Sequence, residues 1–341
     1  MVRYINENDY HYQEWSVLMF RSNKLFLMIS CVIALMLLAA GCGNKETSSE
    51  QKESTSSQEE RVVKHAGGET TIKGTPKRIV TLYQGANDTA AALGVKPVGI
   101  VESWNQLPIY EYLRSDLEGA TVVGQELQPN LEEISKLKPD LIIASTFRHE
   151  KIYPQLSKIA PTIMDDTVYE WKDTLKLMAD ALNKQDKEAE LLAAWDKRVK
   201  DFKSQMGDKL PIKATITNFR SDHMRVYYNS YGGSILKELG FEILERPKGS
   251  EGAEWGEKIT TKERISDLHA DVIFNFNASK DSKLVEKNYK EWTNHPLWKE
   301  LDAVKNEKVF QVDEVYWNQG AGYQSANLML DSIYEMFELR K

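Results

Sequence analysis

The clearest helical pattern in the chain runs from Lys184 to Met206. Leu191, Trp195, Val199, Phe202 and Met206 recur at steps of four, four, three and four, while Asp196, Lys197, Arg198, Lys200, Asp201 and Lys203 fill the other faces. Apolar residues at this spacing predict an amphipathic helix with one buried seam. No Pro or Gly interrupts the segment before Gly207. At about 1.5 Å per residue it predicts a rod of roughly 34 Å, the width of a small domain. Taken alone, the segment reads as one more packed surface helix; its flanks change that reading.

The two flanks resemble each other. Leu131-Glu132-Glu133-Ile134-Ser135-Lys136-Leu137-Lys138-Pro139-Asp140-Leu141-Ile142-Ile143 precedes the rod, and Lys262-Glu263-Arg264-Ile265-Ser266-Asp267-Leu268-His269-Ala270-Asp271-Val272-Ile273-Phe274 follows it. Both predict a short helix, a tight turn, an Asp and a buried strand, and the Glu, Ile, Ser, Leu and Asp positions match at one constant offset. Leu93-Gly94-Val95-Lys96-Pro97-Val98 and Leu239-Gly240-Phe241-Glu242-Ile243-Leu244 form a second pair, each a helix ended by a C-cap glycine before a strand. The chain therefore predicts two related α/β lobes joined by one helix. The cleft between them is the default ligand site.

In the first lobe, Thr75-Pro76-Lys77-Arg78 leads into a strand, Ile79 to Leu82, then the loop Tyr83-Gln84-Gly85-Ala86 and a helix from Asn87, a natural N-cap. Val98 to Val101, Thr121 to Gly124, Leu141 to Ala144 and Pro161 to Met164 read as further strands, with helices from Asn130 and from Ile152 to Ile159. The second lobe opens near Pro211 with strand Lys213 to Asn218. Gly232-Gly233 precedes a helix, Ser234 to Leu239, and strand Lys308 to Val312 and helix Ser325 to Phe337 close the chain. Alternating strands and helices predict parallel-rich sheets. The expected fold is thus α/β, two Rossmann-like lobes joined by a single long helix. Its expected parts are a signal peptide (1–41), a lipidated Cys and flexible tether (42–61), an N-terminal lobe (62–183), the interlobe helix (184–206) and a C-terminal lobe (207–341).

The N-terminal reading rests on a second apolar pattern. Arg21 and Lys24 form a positive start, Leu25 to Ala40 is almost unbroken in apolarity, and Leu38-Ala39-Ala40-Gly41-Cys42 supplies small residues before a Cys. This predicts a secretory signal ending in a lipobox, with Met19 as the start and residues 1–18 as an extension outside it. A transmembrane anchor is the other reading of the run, which is short for one. Gly43 to Glu60 contains no apolar residue and predicts a tether. The expected location is the outer face of the cell membrane, held by a lipid on Cys42.

Composition narrows the chemistry. Of 341 residues, 41% are hydrophobic and 28% charged, which suits two globular lobes. A net charge of −7 argues against nucleic acid as a partner. The two cysteines, Cys31 and Cys42, both precede the body, so no disulfide or thiolate metal site is expected there. His11, His65, His149, His223, His269 and His295 form no H-x-x-x-H pair, and no metal held directly by protein is expected. The chain has no G-x-S-x-G and no G-x-x-x-x-G-K-[ST], so nothing argues for an enzyme.

The most suggestive cluster is Arg220, His223, Arg225, Tyr227 and Tyr231, which gathers guanidinium and phenol groups at a strand end of an acidic chain. Guanidinium forks bind carboxylates bidentately, and Arg148 would face them from the other lobe. The alternative is a surface hairpin in which Asp222 pairs with Arg220 or Arg225. Tyr83, Gln84, Trp104 and Arg148 follow strands, where ligands meet open α/β sheets. Trp104, Trp317, Tyr83 and Tyr323 line an aromatic wall or pack in the core. Glu132 and Glu263 occupy equivalent helix starts. They either complement the helix dipole, worth about 0.3–1 kcal/mol, or form a matched pair of exposed carboxylates for a two-fold basic partner.

The lipobox, Pro76-Lys77-Arg78-Ile79-Val80, Pro129-Asn130-Leu131-Glu132-Glu133-Ile134, Lys138-Pro139-Asp140-Leu141-Ile142 and the C-terminal Trp298-Lys299-x-Leu301-x-Ala303-Val304-Lys305-Asn306 with Val309 strongly resemble the iron-siderophore and cobalamin (class III) substrate-binding proteins of ABC importers. The resemblance covers about residues 68–338. Within that family, Val80 to Asp88, Val101-Glu102-Ser103-Trp104 and Asn218-Phe219-Arg220-x-Asp222-His223-x-Arg225 look like the branch that receives ferric staphyloferrin A, a citrate-based carboxylate siderophore. The resemblance implies a monomeric receptor that binds a ferric siderophore without a cofactor, the iron held by the siderophore. Arg148, Arg220, His223 and Arg225 would form the basic pocket, and Glu132 and Glu263 would dock onto the permease, which works with its ATPase. One stretch departs from that branch: Gln311 to Tyr323 carries no arginine but has Asp313 and Glu314. That turns the expectation toward a smaller ferric citrate complex or a neutral hydroxamate chelate. Receptors for haem or cobalamin, or a membrane-tethered structural or enzymatic protein on the same fold, are the other readings.

Overall fold

The computed structural model describes residues 60–247, 255–277 and 282–341. The predicted signal, Cys42 and most of the predicted tether lie outside the described residues. A hairpin comes first, β1 (Glu60–His65) against β2 (Gly68–Lys73). The first lobe is a six-stranded sheet of β3 (Ile79–Thr81), β4 (Gly99–Glu102), β5 (Thr121–Gln125), β6 (Gln128–Pro129), β7 (Leu141–Ser145) and β8 (Thr162–Asp165), in the order β6-β5-β4-β3-β7-β8. All neighbours pair in parallel except β5 with β6. Every residue of β3, β7 and β8 is buried, as expected of strands covered by helices on both faces.

The second lobe is built on β9 (Ile212–Phe219), β10 (Met224–Tyr227), β11 (Phe241–Ile243), β12 (Gly256–Ile259), β13 (Val272–Asn277) and β14 (Val309–Gln311). Strand order is β12-β10-β9-β13-β14, with β11 beside the first half of β9. β11, β9, β13 and β14 are parallel, while β10 is antiparallel to both its neighbours, β9 and β12. The helices that matter for the cleft are α1 (Gln84–Ala92), α2 (Leu131–Lys136), α3 (Thr146–His149), α4 (Tyr153–Ile159), α5 (Trp171–Leu182), α6 (Gln185–Met206), α7 (Tyr231–Glu238), α8 (Lys283–Thr293), α9 (Pro296–Lys299), α10 (Asp302–Lys305) and α11 (Tyr323–Met336).

The repeat read from sequence has a physical basis in both lobes. Asp140 accepts from the amides of Lys77 and Arg78 at 2.8 and 2.9 Å, and Asp271 accepts from Lys213 N at 2.9 Å. Each matched Asp thus pins the turn before one strand to the start of its neighbour. The helical halves diverge. Asn130 caps α2 by accepting from Glu132 N and Glu133 N, whereas Thr261 makes no such bond and Lys262–Asp267 winds as a 3-10 turn. Two further expectations need correction. Helix α1 starts at Gln84, and Asn87 is not a cap: it is buried, accepts from the Thr81 hydroxyl and donates to Val101 O at 3.2 Å. Gly232 and Gly233 lie inside α7, whose cap is Ser230 accepting from Gly233 N; a Cβ at Gly233 would sit 2.5 Å from Tyr228 O, so that position admits only glycine.

All five residues of the predicted seam on α6 are buried. Trp195 meets Trp171 of the first lobe edge to face at 5.2 Å, and Phe202 packs on Phe241 and Tyr334 of the second lobe. Arg198 of α6 donates to Asn327 and Asp331 of α11, and the Tyr334 hydroxyl donates to Asp201 at 2.8 Å. Helix α11 then reaches back to the first lobe. Its opening amides, Gln324 N and Ser325 N, donate to the fully buried Asp88 of α1 at 2.7 and 2.9 Å, and the Tyr112 hydroxyl adds a third bond at 2.8 Å. A carboxylate at a helix start satisfies otherwise orphan amides. Gly322 is required there by space, since a Cβ would lie 2.4 Å from the Asp88 side chain.

Asp88→Ala is expected to lower stability by about 3 kcal/mol, because it strands two amides and a phenol in the interior; the urea midpoint should fall with an unchanged slope. Burial pushes the Asp88 carboxyl up to about 6. The folded state therefore holds the Asp88 proton more tightly than the unfolded chain. This group's contribution is greatest below about pH 4 and is lost as pH rises through 6. The stability difference between wild type and Asp88→Asn should fall over that window, and a flat difference would sink the assignment.

Candidate functional site

A cleft of about 440 Å³ lies between the two sheets. Its first wall comes from segments that follow successive strands: Gln84 and Gly85 after β3, Trp104 and Asn105 after β4, Glu126 after β5, Phe147 and Arg148 after β7, and Val168 and Tyr169 after β8. The second wall holds Arg220, Arg225, Tyr227, Ser230, Tyr231, Trp255, Glu314, Asn318, Gln319 and Ala321. The first wall follows the rule that ligands meet the carboxyl ends of parallel strands. The walls meet at Gly85, where a Cβ would come within 2.7 Å of Ala321 O.

Three guanidinium groups enter the cleft, each fixed by contacts to its own lobe. Arg148 donates through Nε to Glu126 Oε1 at 2.8 Å and lies 4.7 Å from the Phe147 ring centroid. Arg220 donates through Nε to Asn218 Oδ1 at 2.8 Å, with Nη2 4.0 Å from Glu314. Arg225 lies 5.6 Å from the Trp255 ring centroid. Anchoring at Nε leaves the planar Nη fork of Arg148 to meet a carboxylate, whereas the fork of Arg220 already faces Glu314 on its own wall. Asp222 takes neither arginine; it pairs with His223 at 2.6 Å and Lys258 at 3.4 Å. The expected hairpin is present as strands β9 and β10, but its ion pair is not the expected one.

Of the predicted residues, Gln84, Trp104, Arg148, Arg220, Arg225, Tyr227 and Tyr231 line the cleft. Four do not. Tyr83 is buried beneath the wall and donates to Asp165 at 2.8 Å, its phenol held protonated by burial. His223 turns to Asp222, and burial holds its imidazole below the ordinary value. Trp317 packs on Phe274 at 4.6 Å and donates to Ser332. Tyr323 stacks edge to face on Trp171 at 5.8 Å, at the start of α11. These aromatics fill interlobe and core space, which a one-dimensional pattern does not separate from a cleft wall.

The sequence pattern did not single out Glu126, Phe147, Tyr169, Trp255 or Gln319 as cleft residues, and it marked Glu314 only as an acidic departure. The strand-end rule could have found the first three; Trp255 comes from the turn before β12, and Glu314 and Gln319 from the two ends of a π-helical turn, Val315–Gln319, with no pattern of its own. Glu126 is 4% exposed. Its second oxygen accepts from Gln84 N at 3.1 Å, and the Trp104 side chain also bonds it. Burial lifts its carboxyl above the ordinary range, against Arg148. His149 accepts from Ser145 N at Nδ1, so its Nε2 donates to Glu126 O at 2.8 Å. Burial pushes this imidazole down to about 4, which keeps it neutral. Glu132 and Glu263 are both exposed at helix starts, and Glu132 pairs with Lys136 at 3.0 Å. Among the described residues, no three His, Cys, Asp or Glu side chains are grouped to hold a metal ion.

Comparison with known proteins places this geometry. Residues 79–316 match the family described as Periplasmic binding protein. The chain is 42% identical over 317 residues to the "Probable siderophore-binding lipoprotein YfiY" of Bacillus subtilis, covering 90% of this chain and 95% of that one. It is 35% identical over 310 residues to the "Fe(3+)-citrate-binding protein YfmC" of the same organism, covering 89% and 94%. The crystal structure of Staphylococcus aureus SirA complexed with staphyloferrin B superposes with a TM-score of 0.76 at 48% identity, over 82% of this chain and 99% of that one. That complex holds staphyloferrin B, whereas the sequence resemblance pointed to the staphyloferrin A branch. The two lobes, the single long helix and this extent of similarity agree: the chain belongs to the periplasmic binding protein family, as a class III siderophore-binding protein of an ABC import system and not an enzyme.

Proposed function

We propose that this protein captures a ferric chelate of the carboxylate type in the interlobe cleft and delivers it to a membrane permease. The observation that carries the reading is the convergence of Arg148 with Arg220 and Arg225 from opposite walls, in a chain of net charge −7. Guanidinium forks recognise carboxylates bidentately, and a low-dielectric cleft strengthens that. A relative named for Fe(3+)-citrate and a structure holding staphyloferrin B support the class. Glu126 and Glu314 on the same walls offset two of the three positive charges, which favours a chelate of modest charge over a strong polyanion. The iron is held by the siderophore: the cleft offers guanidinium, phenol and indole groups, which suit the outer surface of a chelate and not a bare ion. A lipid on Cys42 tethers the body to the outer face of the membrane, in keeping with the lipoprotein and periplasmic names of its relatives.

Tryptophan fluorescence titrated with ferric citrate, ferric staphyloferrin A, ferric staphyloferrin B, a ferric hydroxamate, haem and cobalamin tests the class. Saturable quenching by a carboxylate chelate is expected. Arg148→Ala and Arg220→Ala should each weaken it about ten- to a hundredfold, the loss of a charge-assisted hydrogen bond worth about 1.5–3 kcal/mol. Response to the hydroxamate alone would overturn the carboxylate reading. For the permease, Glu132→Ala combined with Glu263→Ala is expected to leave chelate affinity unchanged and abolish uptake of radiolabelled iron by cells. Loss of binding in that double variant would remove both glutamates from the docking surface.

A further inference from the structure

We propose that Glu126 is a specificity-determining residue of the cleft: it sets how much negative charge the cleft accepts by taking up a proton when an anionic ligand engages Arg148. The inference rests on the carboxylate reading above. Glu126 is 4% exposed and sits behind the very guanidinium that faces the ligand, with 2.8 Å between its Oε1 and Arg148 Nε. The rest of its surroundings do not compensate added charge. Gln84 N and the Trp104 side chain are neutral donors. The phenols of Tyr83 and Tyr110 are held protonated by burial, and His149 is neutral above about pH 4. Across the cleft Glu314 bears on the same Tyr110 phenol, adding negative charge, while Arg220 and Arg225 lie on that far wall.

A ligand carboxylate on the outer fork of Arg148 would stand on the order of 5 Å from Glu126, two hydrogen bonds and one guanidinium apart. At the effective dielectric of such sites, that shifts the balance between its charged and protonated forms by on the order of a hundredfold. Glu126 already lies above the ordinary carboxylate range when the cleft is empty. A second anion then carries its titration toward neutrality. The proton comes from solvent; no bond of the ligand is made or broken. A chelate too weakly charged to hold Arg148 leaves Glu126 ionised, so the residue responds to ligand charge.

Calorimetry of the purified protein with ferric citrate and ferric staphyloferrin B, in buffers of differing ionisation enthalpy at pH 6, 7 and 8, reads the proton directly. Wild type should take up a substantial fraction of a proton beyond the free chelate's own, and its affinity should fall by up to about tenfold per pH unit across part of the window. Glu126→Gln should lose at least half of that uptake and flatten the profile, while Glu126→Asp should keep both. A merely structural role would change affinity without changing the proton count. Equal uptake and parallel profiles in wild type and Glu126→Gln overturn the proposal and leave the proposed function standing. Should Glu126→Gln fail to fold, wild type alone decides, since no uptake beyond the chelate's own overturns it. A wild type that binds neither carboxylate chelate at any pH overturns the carboxylate reading and this inference together.

Discussion

Asp88 ties the last helix of the second lobe to the first lobe through one buried carboxyl. It lies on a helix of the first lobe, yet its carboxylate terminates the first turn of α11, the last helix of the second lobe. The orphan amides of that turn have no intrahelical partner, and here they lie between the lobes, that of Ser325 fully buried. One side chain therefore joins the requirements of two sheets. The interface is close enough that Gly322 tolerates no Cβ and Tyr231 reaches the same turn through Gly322 O at 2.8 Å. With the seam of α6 burying Trp195 toward one lobe and Phe202 toward the other, the lobes are held at two separate places. The cleft between them is consequently a shaped feature of the fold.

Within that frame, the cleft's chemistry depends on how each arginine is held. An arginine on a mobile loop attracts any anion; an arginine fixed at Nε presents its remaining fork in one plane. Arg148 is fixed by a buried carboxylate and Arg220 by Asn218, an amide on its own strand. The two anchors differ in kind. Asn218 orients without charge, whereas Glu126 orients and subtracts charge at once. The cleft thus combines directional donors with a low net charge on its walls.

Much of this was legible from residue order because the signals involved are local. The seam on α6 reads directly at helical spacing, and all five of its residues are buried. The glycines after Leu93 and Leu239 adopt the positive φ that a helix stop requires. The matched Asp140 and Asp271 each bond a neighbouring strand start, so the repeat reflected a repeated hydrogen bond. Arg148 and Arg220 were legible as residues that follow strands, and Arg225 by its nearness to Arg220 in an acidic chain.

What residue order left open concerns which of several equivalent groups faces the cleft. Trp104 and Trp317 look alike in sequence, but one is 46% exposed at the rim and the other 1% exposed against Phe274. His223 and Arg225 are two residues apart, yet only Arg225 reaches the cleft. Glu126 carries no motif; its importance comes from Gln84, Trp104 and Arg148, which three different strands bring to it. The sequence by itself determined the elements, the two lobes and the supply of cationic groups, since periodicity, capping and composition act over a few residues. Only the tertiary structure decided which charges are paired and which remain for a ligand, because pairing depends on distances between segments that the chain separates by tens to hundreds of residues.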